Sequence, residues 1–239
     1  YQRLSALGTI IVVDAAPPPP TRMAGIGSAS TLALEMSDGA QRLVVNCGGP
    51  GPEPTAMPAE LVHALRTTAP HCTLVLDDTN STAILPDGSL GRGVTDVEIA
   101  RSEDNDCSRI EASHDGYVKG FGLVHQRRLS LGNDGKEVRG EDRLIPKGRK
   151  KIRESAPYAI RFHLAPGVEA TTTADGMGAI LRSSGAPPWN FRCRGAMLQI
   201  EESLFVNGRG QPVSTSQLVV VGEVSAIGGE IAWQFRRPS

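Results

Sequence analysis

With 239 residues and 39% hydrophobic content, the chain can bury one sizeable core. Its net charge of −1 supplies no global basic field, which argues against nucleic acid as a partner but leaves room for local arginine clusters that hold a long anionic sugar. No stretch approaches the roughly 18 apolar residues of a membrane span, and no leader of charged then apolar residues opens the chain. The 27 glycines and 17 prolines favour short elements and many turns. Cys47, Cys72, Cys107 and Cys193 show no C-x-x-C spacing, so a zinc ribbon and a dithiol motif are unsupported. Scattered thiols are the expectation, with disulfides the alternative in an exported protein. The sequence starts Tyr1-Gln-Arg-Leu without Met, so it is expected to be a piece of a longer protein.

In chain order, residues 8–14 form a β-branched strand, and Pro17–Pro20 then stop the ladder because proline lacks the N–H. Residues 31–36 and 41–46 form a hairpin around Ser37-Asp-Gly-Ala. Residues 47–54 read as a loop. Residues 59–66 are the one short helix, with Leu61, Val62 and Leu65 on one face. A strand at 72–77, a long loop at 78–94, and strands at 94–101 and 108–113 follow. Residues 111–142 read as strand, turn, strand, turn, strand. His114-Asp115-Gly116 and Asn133-Asp134-Gly135 supply the turns. An outer segment can pair on each side of this meander. Residues 147–153 hold five cations in seven positions, either a solvated loop or a polyanion contact. Strands at 158–164, 167–173, 178–182, 190–194, 197–202, 218–223 and 230–236 complete the series. The expectation is an all-β fold: one large antiparallel β-sandwich spanning 1–239, with one short helix.

Several segments carry a resemblance, in order along the chain. They are Arg66-Thr-Thr-Ala-Pro-His71-Cys-Thr73, His114-Asp-Gly-Tyr117, His125-Gln-Arg127-Arg128, Gly140-Glu-Asp142, Arg161-Phe-His163-Leu-Ala-Pro-Gly167, Trp189-Asn-Phe-Arg-Cys193 and Ile200-Glu-Glu-Ser203. Together they resemble the C-terminal β-domain of heparinase II/III-type polysaccharide lyases. The resemblance implies β-elimination in uronic-acid-containing polysaccharides. It also implies an upstream α-helical toroid that carries the principal tyrosine, and a β-domain histidine facing the cleft. Elimination requires a neutralised carboxylate, a base for the C5 proton and an acid for the leaving oxygen.

Some members of the family hold zinc in the β-domain, and here the sequence departs from the pattern. Where the family usually reads His-x-His-x-Asp, this chain has Ile26-Gly-Ser28-Ala-Ser30. The next ligand position, an Asp before Gly, corresponds to Asn46. Only His71 matches, and a site needs about three protein ligands, so neither metal nor other cofactor is expected. An unrelated site built on Cys47 and Cys72 is the minor alternative.

His71 is the candidate catalytic residue; the alternative is a structural imidazole bonded to backbone. Arg66, His125 and Arg127 are the candidate substrate-binding residues. His125 and Arg127 alternate along one strand and so share a face. Arg127 either grips a substrate carboxylate with its bidentate fork or pairs across strands with Glu141 or Asp142. His114 and Asp115 are either a base with its orienter or the caps of their own turn. Trp189 and Trp233 either stack on sugar rings or fill the core, and Trp233 sits in an apolar strand. No Gly-x-Ser-x-Gly or phosphate loop is present. Two functions follow. The chain is the cleft-wall domain of a lyase acting on an acidic polysaccharide, partnered by the upstream toroid, or it is a non-catalytic glycan-binding or structural module.

Overall fold

A computed structural model describes residues 1–20, 27–49, 57–148 and 155–238. Sixteen strands form three antiparallel sheets among these residues. The first sheet runs in sequence order: β1 (Gln2–Ala6), β2 (Thr9–Val13), β3 (Leu34–Asp38) and β4 (Gln41–Val44). The second contains β5 (Leu74–Leu76), β10 (Ser155–His163), β14 (Met197–Val206) and β15 (Pro212–Ser225), in the order β14-β15-β10-β5.

The third sheet has eight strands. These are β6 (Val97–Glu103), β7 (Cys107–His114), β8 (Leu123–Gly132), β9 (Glu137–Pro146), β11 (Glu169–Thr172), β12 (Gly178–Arg182), β13 (Trp189–Arg194) and β16 (Gly229–Arg236). Their order is β11-β12-β13-β16-β9-β8-β7-β6, so the predicted meander β7-β8-β9 is flanked by β6 on one side and β16 on the other.

The two four-stranded sheets join edge to edge. Val45 N–H donates to the His163 carbonyl at 2.9 Å, and Ala165 N–H donates to the Leu43 carbonyl at 3.0 Å. This layer faces the eight-stranded sheet across one apolar core. At its centre Phe162 of β10 meets Phe191, Trp233 and Phe235 with ring centroids 4.7–5.4 Å apart. Alternation along β8 drives this packing: Leu123, Leu129 and Leu131 point inward with His125 and Arg127. The result is the expected all-β sandwich. The tryptophans are core residues, with Trp189 and Trp233 buried.

Three local features differ from the sequence reading. The chain has two short helices, not one: α1 (Ala59–Ala64) and a single turn, α2 (Val118–Phe121), inside the meander. Tyr117 anchors that turn by donating its hydroxyl to the Leu74 carbonyl at 2.8 Å. β1 lies where no strand was expected. β3 starts at Leu34, not at Thr31, because Leu32 adopts φ 66°, a left-handed conformation that breaks a strand. The cation-rich segment is described only at residues 147–148, and residues 149–153 lie outside the described set. No helix among the described residues is long and apolar enough to cross a membrane.

Candidate functional site

Four segments converge beside the junction of the two small sheets: residues 27–32, Asn46 with Cys47, residues 66–73, and His163 with Ser203. The 66–73 segment leaves α1 in tight turns and carries His71. Its imidazole Nδ1 donates to the Thr67 carbonyl at 2.7 Å. Nε2 therefore keeps a lone pair, and it has no hydrogen-bond partner among the described residues. Burial lowers the His71 pKa to about 4, so the ring is neutral at physiological pH. Such a group can accept a proton or bind a ligand through Nε2.

His163 braces the same segment from β10. Its Nε2 donates to the Ala69 carbonyl at 2.8 Å, and its Nδ1 accepts the Ser203 hydroxyl at 2.8 Å. Burial lowers its pKa to about 4 as well. Both His163 and Ser203 fall in segments that resemble the family, but no local pattern gives either a role. The pairing of a β10 histidine with a β14 serine depends on long-range register, which has no local signature.

The positions that correspond to family zinc ligands are committed elsewhere. Asn46 Oδ1 accepts the Cys72 N–H at 2.8 Å, while its Nδ2 and backbone N–H both donate to Glu35 Oε1 at 3.1 Å. Ser30 donates to Asp14 Oδ2 at 2.6 Å. No group of three His, Cys, Asp or Glu side chains is placed to hold a metal ion among the described residues. A neutral amide, a hydroxyl and one imidazole do not fit a zinc ion. The Cys72 thiol donates to the Val45 carbonyl, and Cys47 contacts Ser203; all four cysteines are free thiols. Burial pushes the Cys47 thiol up to about 11, so it is no ready nucleophile.

The other candidate residues lie behind or beside this cluster. Arg66 ties two loops together, donating Nε to the Gly27 carbonyl at 2.8 Å and Nη1 to the Gly88 carbonyl at 2.6 Å. His125 and Arg127 do share a face, as alternation requires, but that face is the core: they are 0% and 1% exposed. Arg127 holds Asp142 in a bidentate pair at 2.8 and 3.0 Å. Its remaining Nη1 donates to the carbonyls of Leu32 and Cys72 at 2.8 and 2.7 Å. This geometry removes Arg127 and His125 from direct contact with a bound chain, and the cross-strand alternative describes Arg127.

The polar network continues through the core. Gly116 N–H donates to His114 Nδ1, which fixes the His114 proton on Nε2. Nε2 then donates to His125 Nδ1 at 3.2 Å, and His125 Nε2 donates to Asp142 Oδ1 at 2.7 Å. Trp233 Nε1 donates to Asp142 Oδ2 at 2.8 Å. Burial raises the Asp142 carboxyl, but Arg127 and His125 more than offset this and hold it well below the usual range. Asp115 accepts from Thr95 and the Asp96 N–H, so it ties the turn to the 95–96 segment and does not orient His114, and the side chain that caps the turn is His114. The network links the eight-stranded sheet to the backbone of the two segments that carry Ser30 and His71.

The sequence matches the heparinase II/III-like C-terminal family over residues 1–234. The chain belongs to this family. Its fold is similar to heparan sulfate lyase HepC from Pedobacter heparinus, with a TM-score of 0.76 at 14% identity over 95% of this chain and 33% of that one. It is similar in the same way to heparinase III, with a TM-score of 0.73 at 12% identity over 96% of this chain and 33% of that one. A further relative is FtsZ-localized protein C of Caulobacter vibrioides, 28% identical over 259 residues, which include 99% of this chain and 42% of that protein. The chain thus spans less than half the length of each of these three proteins.

Proposed function

We propose that this chain is the β-domain of a heparinase II/III-like polysaccharide lyase and forms one wall of a cleft for a uronic-acid-containing polysaccharide. The observation that carries the reading is His71: a neutral imidazole, anchored at Nδ1, with Nε2 free of hydrogen-bond partners among the described residues. In β-elimination a neutral imidazole can take the C5 proton or assist the group that does. An upstream toroid would supply the tyrosine and the groups that neutralise the substrate carboxylate, as the family resemblance implies. The β-domain then contributes His71 and the rigid shelf beneath it, and Arg66 positions the neighbouring loops.

The test compares a longer chain that includes the upstream region with the 239-residue chain. Each is given heparan sulfate, heparin, hyaluronate and alginate, and the absorbance of the unsaturated uronate is followed. The longer chain should form product, His71→Ala should lower its kcat by about 100-fold or more, and the β-domain alone should form none. A longer chain inactive on every substrate defeats the lyase reading.

A second reading has its own support: Ser30 and Asn46 stand at former ligand positions and serve structural bonds, and FtsZ-localized protein C shares 28% identity. On this reading the domain is a non-catalytic binding or structural module in a protein of the division apparatus. Co-sedimentation of the longer chain with FtsZ polymers tests it.

A further inference from the structure

The outward face of the eight-stranded sheet, turned away from the core, carries an ordered set of cations. Strand register places Ser102, Arg109, Ser130, Arg139, Gln234 and Arg192 in one row across β6, β7, β8, β9, β16 and β13. Neighbouring strands lie about 4.8 Å apart, so the three arginines, two strands apart each time, recur about every 10 Å. No acid stands in this row. The next row reads Ala100, Glu111, Arg128, Glu141, Ala232 and Arg194 by the same register. The two rows line a groove of about 920 Å³.

The side chains of Arg109, Arg139 and Arg192 are 50%, 67% and 47% exposed. Each meets an acid outside the row through a single nitrogen: Asp104, Glu137 and Asp175 respectively. The rest of each planar fork is available to a carboxylate. In a chain of net charge −1, the groove lining holds six arginines against two glutamates.

We propose that this groove docks an acidic polypeptide segment of a partner protein. Two observations select a polypeptide. A polyproline-II segment with an acid at every third residue presents carboxylates about 9.3 Å apart on one side, which matches the arginine spacing. The neighbouring row alternates Glu111, Arg128 and Glu141, so a uniformly anionic chain meets repulsion there, whereas a polypeptide can carry neutral or basic groups opposite the glutamates. The groove lies on a different face from the His71 cluster, and its test does not read lyase activity.

The probe is a fluorescein-labelled peptide of five Glu-Pro-Ser repeats, compared with a peptide of equal composition whose glutamates are clustered. Fluorescence anisotropy at low ionic strength should show saturable binding of the repeat peptide, weakened steeply by added salt. Arg139→Ser should reduce affinity up to about 5-fold, and the Arg109→Ser, Arg139→Ser, Arg192→Ser triple variant more than about 10-fold. Arg182→Ser, an exposed arginine of β12 outside the row, should leave affinity unchanged. Circular dichroism confirms that each variant is folded. The proposal is overturned if the parent does not bind the peptide, if the clustered peptide binds equally well, or if the triple variant binds like the parent. It is also overturned if heparin binds through the same three arginines more tightly than the peptide, which would make the groove a glycan surface.

Discussion

Arg127 and Asp142 hold opposite charges out of water, and their surroundings set what their loss does. Removing one partner of a buried pair leaves the other charge uncompensated, which destabilises by about 3–5 kcal/mol. Arg127→Ala also strands the carbonyls of Leu32 and Cys72. The expected result in chemical denaturation is a loss at the upper end of that range, whereas Arg194→Ala on the exposed face should change stability by less than about 0.5 kcal/mol. An Arg127→Ala protein as stable as the parent would sink this account. The sequence made the shared face of His125 and Arg127 legible, because period-two alternation is local. It did not make legible which face is buried, because hydropathy assigns arginine and histidine to water. Asp142 and Trp233, one and two strands away, reverse that assignment. The neutral Nε2 of His71 was equally out of reach, since it depends on a carbonyl four residues back and on burial by distant loops.

Among the elements, the Trp233 indole of β16 lies over its cross-strand partner Gly140 of β9 and leaves no room for a side chain there. A Cβ there would lie 2.1 Å from Cζ2 of Trp233. Gly140→Ala must therefore displace the indole that packs on Phe162 and donates to Asp142. Overpacking of this kind costs about 1–3 kcal/mol, and a melting experiment together with a shifted tryptophan emission should report it. Unchanged emission and melting would mean that the indole moves aside without penalty. Most strands were visible as apolar or alternating runs between turn residues, and the Asn133-Asp-Gly hairpin was placed by its turn chemistry. β1 was missed because Gln2-Arg-Leu-Ser-Ala6 has little β-branched character and gains its order from pairing with β2. The single turn of α2 is too short for any periodic signal, and Gly122 closes it at φ 72°.

For the whole molecule, the buried histidines set the response to acid. Burial lowers the pKa of His71, His114, His125 and His163, with His71 and His163 each near 4. An unfolded histidine titrates near 6.5, so between about pH 6.5 and 4 the unfolded chain binds more protons than the native one. The stabilisation is complete above about pH 6.5 and is lost as pH falls toward 4. His71 and His163 should each account for roughly 2–3 kcal/mol of that loss. Denaturation midpoints measured from pH 7.5 to 4 should fall, and His163→Gln should flatten the curve. A stability that rises as pH falls through this window would contradict the neutral assignment of both rings.

β16 follows fifteen other strands in sequence and yet stands in the middle of the largest sheet, joining β9 to β13. Just beyond it, Arg237 pairs with Asp38, a partner 199 positions earlier. A ribosome must therefore release nearly all of this sequence before the sheet can close. Until then the edges of β9 and β13 expose unpaired backbone beside apolar side chains, an invitation to chaperones and to aggregation alike. Deleting residues 229–236 would take away eight positions, but it would leave the large sheet in two halves with no strand between them.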